Sequence, residues 1–171
     1  MNFDIREAIA AEAELIADMS RQTFYESFAS QNAPEDMDQF MNNVFTREAL
    51  MKEVGAPGNI FLLAFLNEEA VGYVRMRDGM KHHEFANRSS IEIARIYTLQ
   101  HSIGKGAGSA LMQKCLEIAK EMNRQVIWLG VWEHNHQAIR FYTKWGFEKF
   151  SEHDFVLGSD VQRDWLMKKE L

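Results

Sequence analysis

A β-branched run, Ser90 to Thr98 (SIEIARIYT), leads through a short polar link into Ile103-Gly104-Lys105-Gly106-Ala107-Gly108 and then into a helix-forming stretch. This order narrows what the chain can fold into. Glycines permit a tight turn and let a ligand approach the backbone, and a helix that opens on such a turn offers unpaired N–H groups and a partial positive charge. That combination suits a diphosphate, although an ordinary glycine-rich turn reads the same way locally. A Walker A loop is ruled out by spacing, because Lys105 is followed by Gly106 and no glycine stands at the required distance before it. The dinucleotide fingerprint GxGxxG is also missing: the turn reads GxGxG and follows three successive strands.

Residues 3–7 read as a strand, and Leu15, Ile16, Met19, Phe24 and Phe28 follow at helical spacing. Pro34 suits the first turn of a second helix carrying Met37, Phe40, Met41 and Val44, and REALMKEV after Thr46 is good helix former without a full capping box. Residues 59–66 and 70–77 form an antiparallel hairpin across Asn67-Glu68-Glu69, with 90–98 as a third strand. Leu111, Cys115, Ile118, Ala119 and Met122 then mark an amphipathic helix, 125–131 a buried strand, 135–145 a helix, and 147–157 and 161–168 two last strands. The expected order is β-α-α-β-β-β-α-β-α-β-β, an α/β fold of about seven strands and about four helices in a single domain over residues 1–171.

Composition removes several function classes. With 46% apolar residues a core forms readily, and one cysteine, Cys115, excludes an intrachain disulfide. A net charge of −6 argues against a phosphate-backbone interface with nucleic acid. Neither a leader nor a membrane span is expected, which points to the cytoplasm. The six histidines lack metal-site spacing, so no metal is expected.

Downstream, Asn135, Ala138, Ile139 and Tyr142 share one helix face; an N-cap and a core aromatic would fit the same positions. Taken with Gly106-x-Gly108 and Leu111, the segment Asn135, Ala138, Phe141-Tyr142, Gly146-Phe147 resembles the GCN5-related N-acetyltransferase (GNAT) family. The family's first loop position, normally Gln or Arg, is Ile103 here, leaving the diphosphate to backbone contacts. TFYESFASQNAPEDM, VGYVRM, IEIARIY and IWLGVWEHN are similar to the PaiA-type spermidine/spermine N-acetyltransferases.

The resemblance implies a mixed, mostly antiparallel sheet and direct transfer of acetyl from acetyl-CoA to a primary amine, with coenzyme A leaving as a thiolate. It implies a polyamine acceptor such as spermidine or spermine, and leaves a homodimer open. Tyr142 would be the general acid. Glu92 is the candidate base, read as alternating in phase with Ala94 and Ile96, against the alternative of a solvated strand glutamate. Ile96, Tyr97 and Thr98 would meet the thioester and pantetheine, and Ile103, Gly104, Lys105, Gly106, Ala107, Gly108 and Ser109 the diphosphate. Asn135, Ala138 and Tyr142 complete the coenzyme side. Phe24, Tyr25, Phe28, Trp132 and Glu133 would line the acceptor end, with Glu26, Glu35, Asp36 and Asp38 near its entrance; core packing and a solvated helix face are the alternatives. Two other readings stay open: an acetyltransferase for a protein N-terminus or lysine, and a CoA-sensing module without turnover.

Overall fold

The computed structural model describes residues 1–171. Seven strands form one sheet: β1 (Asp4–Glu7), β2 (Asn59–Leu66), β3 (Glu69–Asp78), β4 (Ser90–Thr98), β5 (Val126–Trp132), β6 (Glu148–Leu157) and β7 (Asp160–Glu170), in the order β1-β2-β3-β4-β5-β7-β6. Five helices flank it: α1 (Ala13–Phe28), α2 (Pro34–Asn43), α3 (Arg47–Glu53), α4 (Ala107–Glu121) and α5 (His136–Lys144). The N-terminal part holds three helices where two are expected from sequence, because Thr46 stops α2's direction and restarts the chain. Its backbone is extended and its side chain accepts the Ala49 N–H at 3.2 Å, which makes it the N-cap of α3. None of the helices is long and apolar enough to cross a membrane.

Local chemistry explains the remaining boundaries. Pro34 opens α2, where its missing N–H costs nothing. Asn67 and Glu68 both take positive φ (50° and 68°), giving the two-residue turn whose twist matches a hairpin. Along α4 the stripe Leu111, Met112, Cys115, Leu116 and Ala119 is buried against one sheet face. Along α1, Ile16 and Met19 pack on the opposite face with Phe61, Leu63 and Tyr73. Each such side chain contributes about 1.5–3 kcal/mol when fully buried, so both helices are held firmly to the sheet.

Two irregularities in the sheet create the site. All neighbouring strands are antiparallel except β4 and β5, which run parallel and pair only from Ser90–Ile93 against Val126–Leu129. Beyond Ile93 the two strands part, although β4 runs on to Thr98 and β5 to Trp132. The second irregularity lies in β4 itself: Met76 pairs with Ile93 and Arg75 with Arg95, so Ala94 is an extra, bulged residue. A bulge bends its strand and shifts its side-chain alternation, which here turns β4 away from β5.

Candidate active site

A cavity of about 1030 Å³ fills the wedge where β4 and β5 part. At one end it is lined by Ser102, Ile103, Gly104, Gly106, Gly108 and Ser109, and by Asn135, Ala138 and Tyr142 of α5; Ile96, Tyr97 and Thr98 of β4 form the wall between them. The turn into α4 has the geometry its glycines allow. Gly104 and Gly106 take φ of +79° and +100°, and a Cβ built on Gly104 would meet nothing within 4 Å, so open space adjoins the backbone. Gly106 is the N-cap of α4 and no side chain caps the helix, which leaves the N–H groups of Ala107, Gly108 and Ser109 without intrahelical acceptors. Nearby, the buried Ser102 hydroxyl has no hydrogen-bond partner in the protein. This end fits an anionic ligand held by backbone donors. Lys105 and Ala107 are not on the lining: Lys105 is exposed, and the Ala107 side chain is in the core, so only its N–H is available.

Asn135 is an N-cap. Its Oδ1 accepts the Ala138 N–H at 3.2 Å, which leaves only the Nδ2 group free to donate. Tyr142 is 8% exposed and lies on the cavity wall; burial pushes its phenol well above the ordinary tyrosine range, and nearby Cys115 adds to the shift. The hydroxyl therefore keeps its proton throughout the neutral range.

Glu92 does not reach the cavity. The bulge at Ala94 breaks the alternation that would put Glu92 in phase with Ile96, so Arg95 instead shares the face of Glu92, beside Arg75 and Arg77. Both its carboxylate oxygens are taken by Arg77, from Nε at 2.8 Å and Nη2 at 2.9 Å. A carboxylate that does line the cavity is Asp164 on β7. It stands opposite Trp132 and over Gly130, where a Cβ would lie 3.7 Å from its Oδ2. Burial raises its pKa above the usual carboxylate range, while His153, 3.6 Å away, pulls it back. The sequence does carry one signal for it: Gln162, Asp164 and Leu166 alternate on a strand, and a lone acid on an inward face needs a reason.

The far end of the cavity is walled by Phe24, Phe28, Phe40, Phe45 and Phe155, with Trp132 edge-on to Phe28 at 6.1 Å. Of the residues expected here from sequence, Phe24, Phe28 and Trp132 line the cavity. Tyr25 is 54% exposed and faces away, and Glu133 belongs to a separate, smaller hollow with His134 and Asp160. Among the acids expected at the entrance, Glu26 lines the cavity and accepts the Gln100 N–H at 3.0 Å. Asp36 serves the fold instead, accepting from the N–H and hydroxyl of Ser159, each at 2.7 Å, which hold it below its usual pKa. Sequence reasoning missed Arg75, Arg77, Arg95 and Glu53, which also line this end.

Residues 16–147 match the model of the Acetyltransferase (GNAT) family. An uncharacterized N-acetyltransferase of Lactobacillus delbrueckii subsp. lactis is 39% identical over 158 residues, 92% of this chain and 91% of its own. One from Mycobacterium bovis is 29% identical over 160 residues, 94% of this chain and 98% of its own. Among solved structures, the PaiA N-acetyltransferase of Thermoplasma acidophilum in complex with coenzyme A superposes with a TM-score of 0.79 at 20% identity, covering all of both chains.

Proposed function

This chain belongs to the GNAT family of acetyltransferases as an acetyl-CoA-dependent N-acetyltransferase, and we propose that its acceptor is a primary amine entering from the phenylalanine-walled end of the cavity. The observation that carries the reading is that one cavity joins the uncapped N-terminus of α4 to the phenol of Tyr142 and the carboxylate of Asp164. When bound, acetyl-CoA supplies a thioester carbonyl open to attack by a neutral amine. The protein's own groups then have separable tasks. The N–H groups of Ala107, Gly108 and Ser109 hold the diphosphate without help from a side chain at Ile103. The β5-facing edge of β4 beyond Ile93 has no ladder partner, so its backbone donors and acceptors are free for the pantetheine arm and the carbonyl. Asn135 Nδ2 donates to the same arm.

A free alkylamine has a pKa of about 10.4, so only about one molecule in a thousand is neutral at pH 7. Asp164 takes the surplus proton, and its raised pKa brings it closer to that task than a solvated carboxylate. Tyr142, held protonated by its burial, donates to the departing sulfur. A polyamine acceptor is the second reading, and the Asp164 and Glu26 carboxylates on the lining favour it.

The test is release of coenzyme A thiol from acetyl-CoA over a panel of small amines, spermidine and peptides, with Tyr142→Phe alongside. Amine-dependent release is expected, with kcat in the variant lower by about 10²–10⁴-fold, the usual range for losing a proton donor. Release with peptides alone would make the protein an acetyltransferase for protein amines; binding of coenzyme A with no release would make it a CoA-sensing module.

A further inference from the structure

The acceptor end carries more positive than negative charge at its base. Arg75 and Arg77 on β3 and Arg95 on β4 share one sheet face, since Arg75 stands opposite Arg95 and Arg77 opposite Glu92. All three line the cavity, and their side chains are only 13%, 31% and 16% exposed. Two carboxylates serve them. Glu92 is used by Arg77. Glu53, from the end of α3, accepts from Arg95 Nη1 and Nη2 at 2.7 and 2.9 Å, and the same carboxylate is the one Arg75 faces, 3.1 Å from its Nη1. The only hydrogen bond Arg75 makes is from Nε to Asn59 Oδ1, at 2.7 Å. Three guanidiniums therefore share two carboxylates, and Arg75, which has only part of Glu53, is on the cavity lining.

Removing a cation from water costs several kcal/mol unless an anion and hydrogen bonds compensate it, and a guanidinium fork matches a planar carboxylate best. Burial and the neighbouring Arg95 lower Arg75 to about 10, with Glu53 opposing the shift. Phe24, Phe40, Phe45, Leu50 and Phe155, which belong to one apolar cluster, line the same cavity, and Arg95 lies 5.0 Å from the centre of the Phe45 ring. Such a lobe suits an apolar body between an anionic end and an amine.

Resting on the acetyltransferase reading above, we propose that the acceptor is a small apolar amine bearing a carboxylate, and that Arg75, with Arg77 beside it, binds that carboxylate while the amine points to Asp164. Asp164 and Glu26 answer the ammonium group, and Arg75 answers the group that spermidine lacks.

Matched acceptors separate the possibilities. With acetyl-CoA saturating, kcat/KM is measured for 6-aminohexanoate against hexylamine, for 4-(aminomethyl)benzoate against benzylamine, and for spermidine. The carboxylate-bearing member of each pair is expected to be ahead by about 10- to 100-fold, the worth of a charge-assisted hydrogen bond lost or kept. In Arg75→Gln the ratio within each pair falls toward one, and in Arg75→Lys it lies between. Spermidine or the neutral-tailed amines ahead in the native protein would overturn the proposal, whatever the variants do, as would an unchanged ratio in a folded Arg75→Gln. Absence of turnover with every amine would sink the acetyltransferase reading alone; the carboxylate site is then judged by calorimetry with 3-phenylpropanoate, where binding that Arg75→Gln abolishes supports it and no binding refutes it.

Discussion

Glu53 holds two guanidiniums at once, so its removal is a sharp test of how charge is balanced beneath the acceptor lobe. In Glu53→Gln, Arg95 loses a bidentate partner and Arg75 its only carboxylate, with both side chains less than one-fifth exposed. Breaking a buried ion pair from one side costs about 3–5 kcal/mol. Glu53 itself is 22% exposed, so water reaches the pair and the lower end, about 3 kcal/mol, applies. At about 2–4 °C per kcal/mol for a chain of this size, the melting temperature falls by about 6–12 °C. Circular dichroism melts and urea titrations of the native protein, Glu53→Gln, Arg75→Gln and the double variant give the full cycle. The double variant is expected to be more stable than Glu53→Gln alone, because it removes the cation that the single change leaves stranded, with a coupling of about 0.5–3 kcal/mol. A loss below about 1 kcal/mol in Glu53→Gln, or a double variant less stable than that single one, would refute the claim that these charges compensate one another in a low-dielectric site.

Three further expectations follow from other groups. Asp164 is held above its unfolded pKa, so the folded chain binds more protons than the unfolded one between the ordinary value and the raised one, and stability falls as pH rises through that window. Asp164→Asn should therefore melt higher at pH 7, with the gain vanishing in acid below the ordinary carboxylate pKa, while kcat/KM drops by at least about 100-fold if it is the proton acceptor; a variant that is less stable or fully active would contradict this. Cys115 is fully buried and its thiol is pushed up to about 12, so iodoacetamide at pH 8 should label it only in denaturant, as read by mass spectrometry. Gly158 has φ +62° and a Cβ there would lie 2.5 Å from Asp36 Cα, so Gly158→Ala combines backbone strain with a clash against α2 and should cost about 2–4 kcal/mol in a urea titration.

What the sequence revealed was what local chemistry writes. The glycine turn at Gly104 and Gly106, Pro34 at the head of α2, the Asn67-Glu68 turn and the Leu111–Cys115–Ala119 stripe each depend on neighbours within one element, and each is where the pattern puts it. Asn135 is the N-cap its residue type suggests, and Tyr142 is both a buried aromatic and a wall of the cavity, so the two readings of that residue were never exclusive. The failure at Glu92 has one physical source. Alternation along a strand holds only while no residue is added, and nothing in SIEIARIYT marks Ala94 as extra. Strict alternation would keep Glu92 with Ala94 and Ile96 and send Arg95 and Tyr97 to the α4 face, pressing a guanidinium against Leu111 and Met112, both of which are 0% exposed. The bulge removes that conflict. By adding one residue it sends Ile96 to the α4 side, brings Arg95 beside Arg75 on the α1 side, and turns β4 away from β5. One local irregularity thus lets β4 part from β5, takes Ile96 out of phase with Glu92, and assembles the arginine floor that would read the acceptor, while Glu92 itself is held by Arg77.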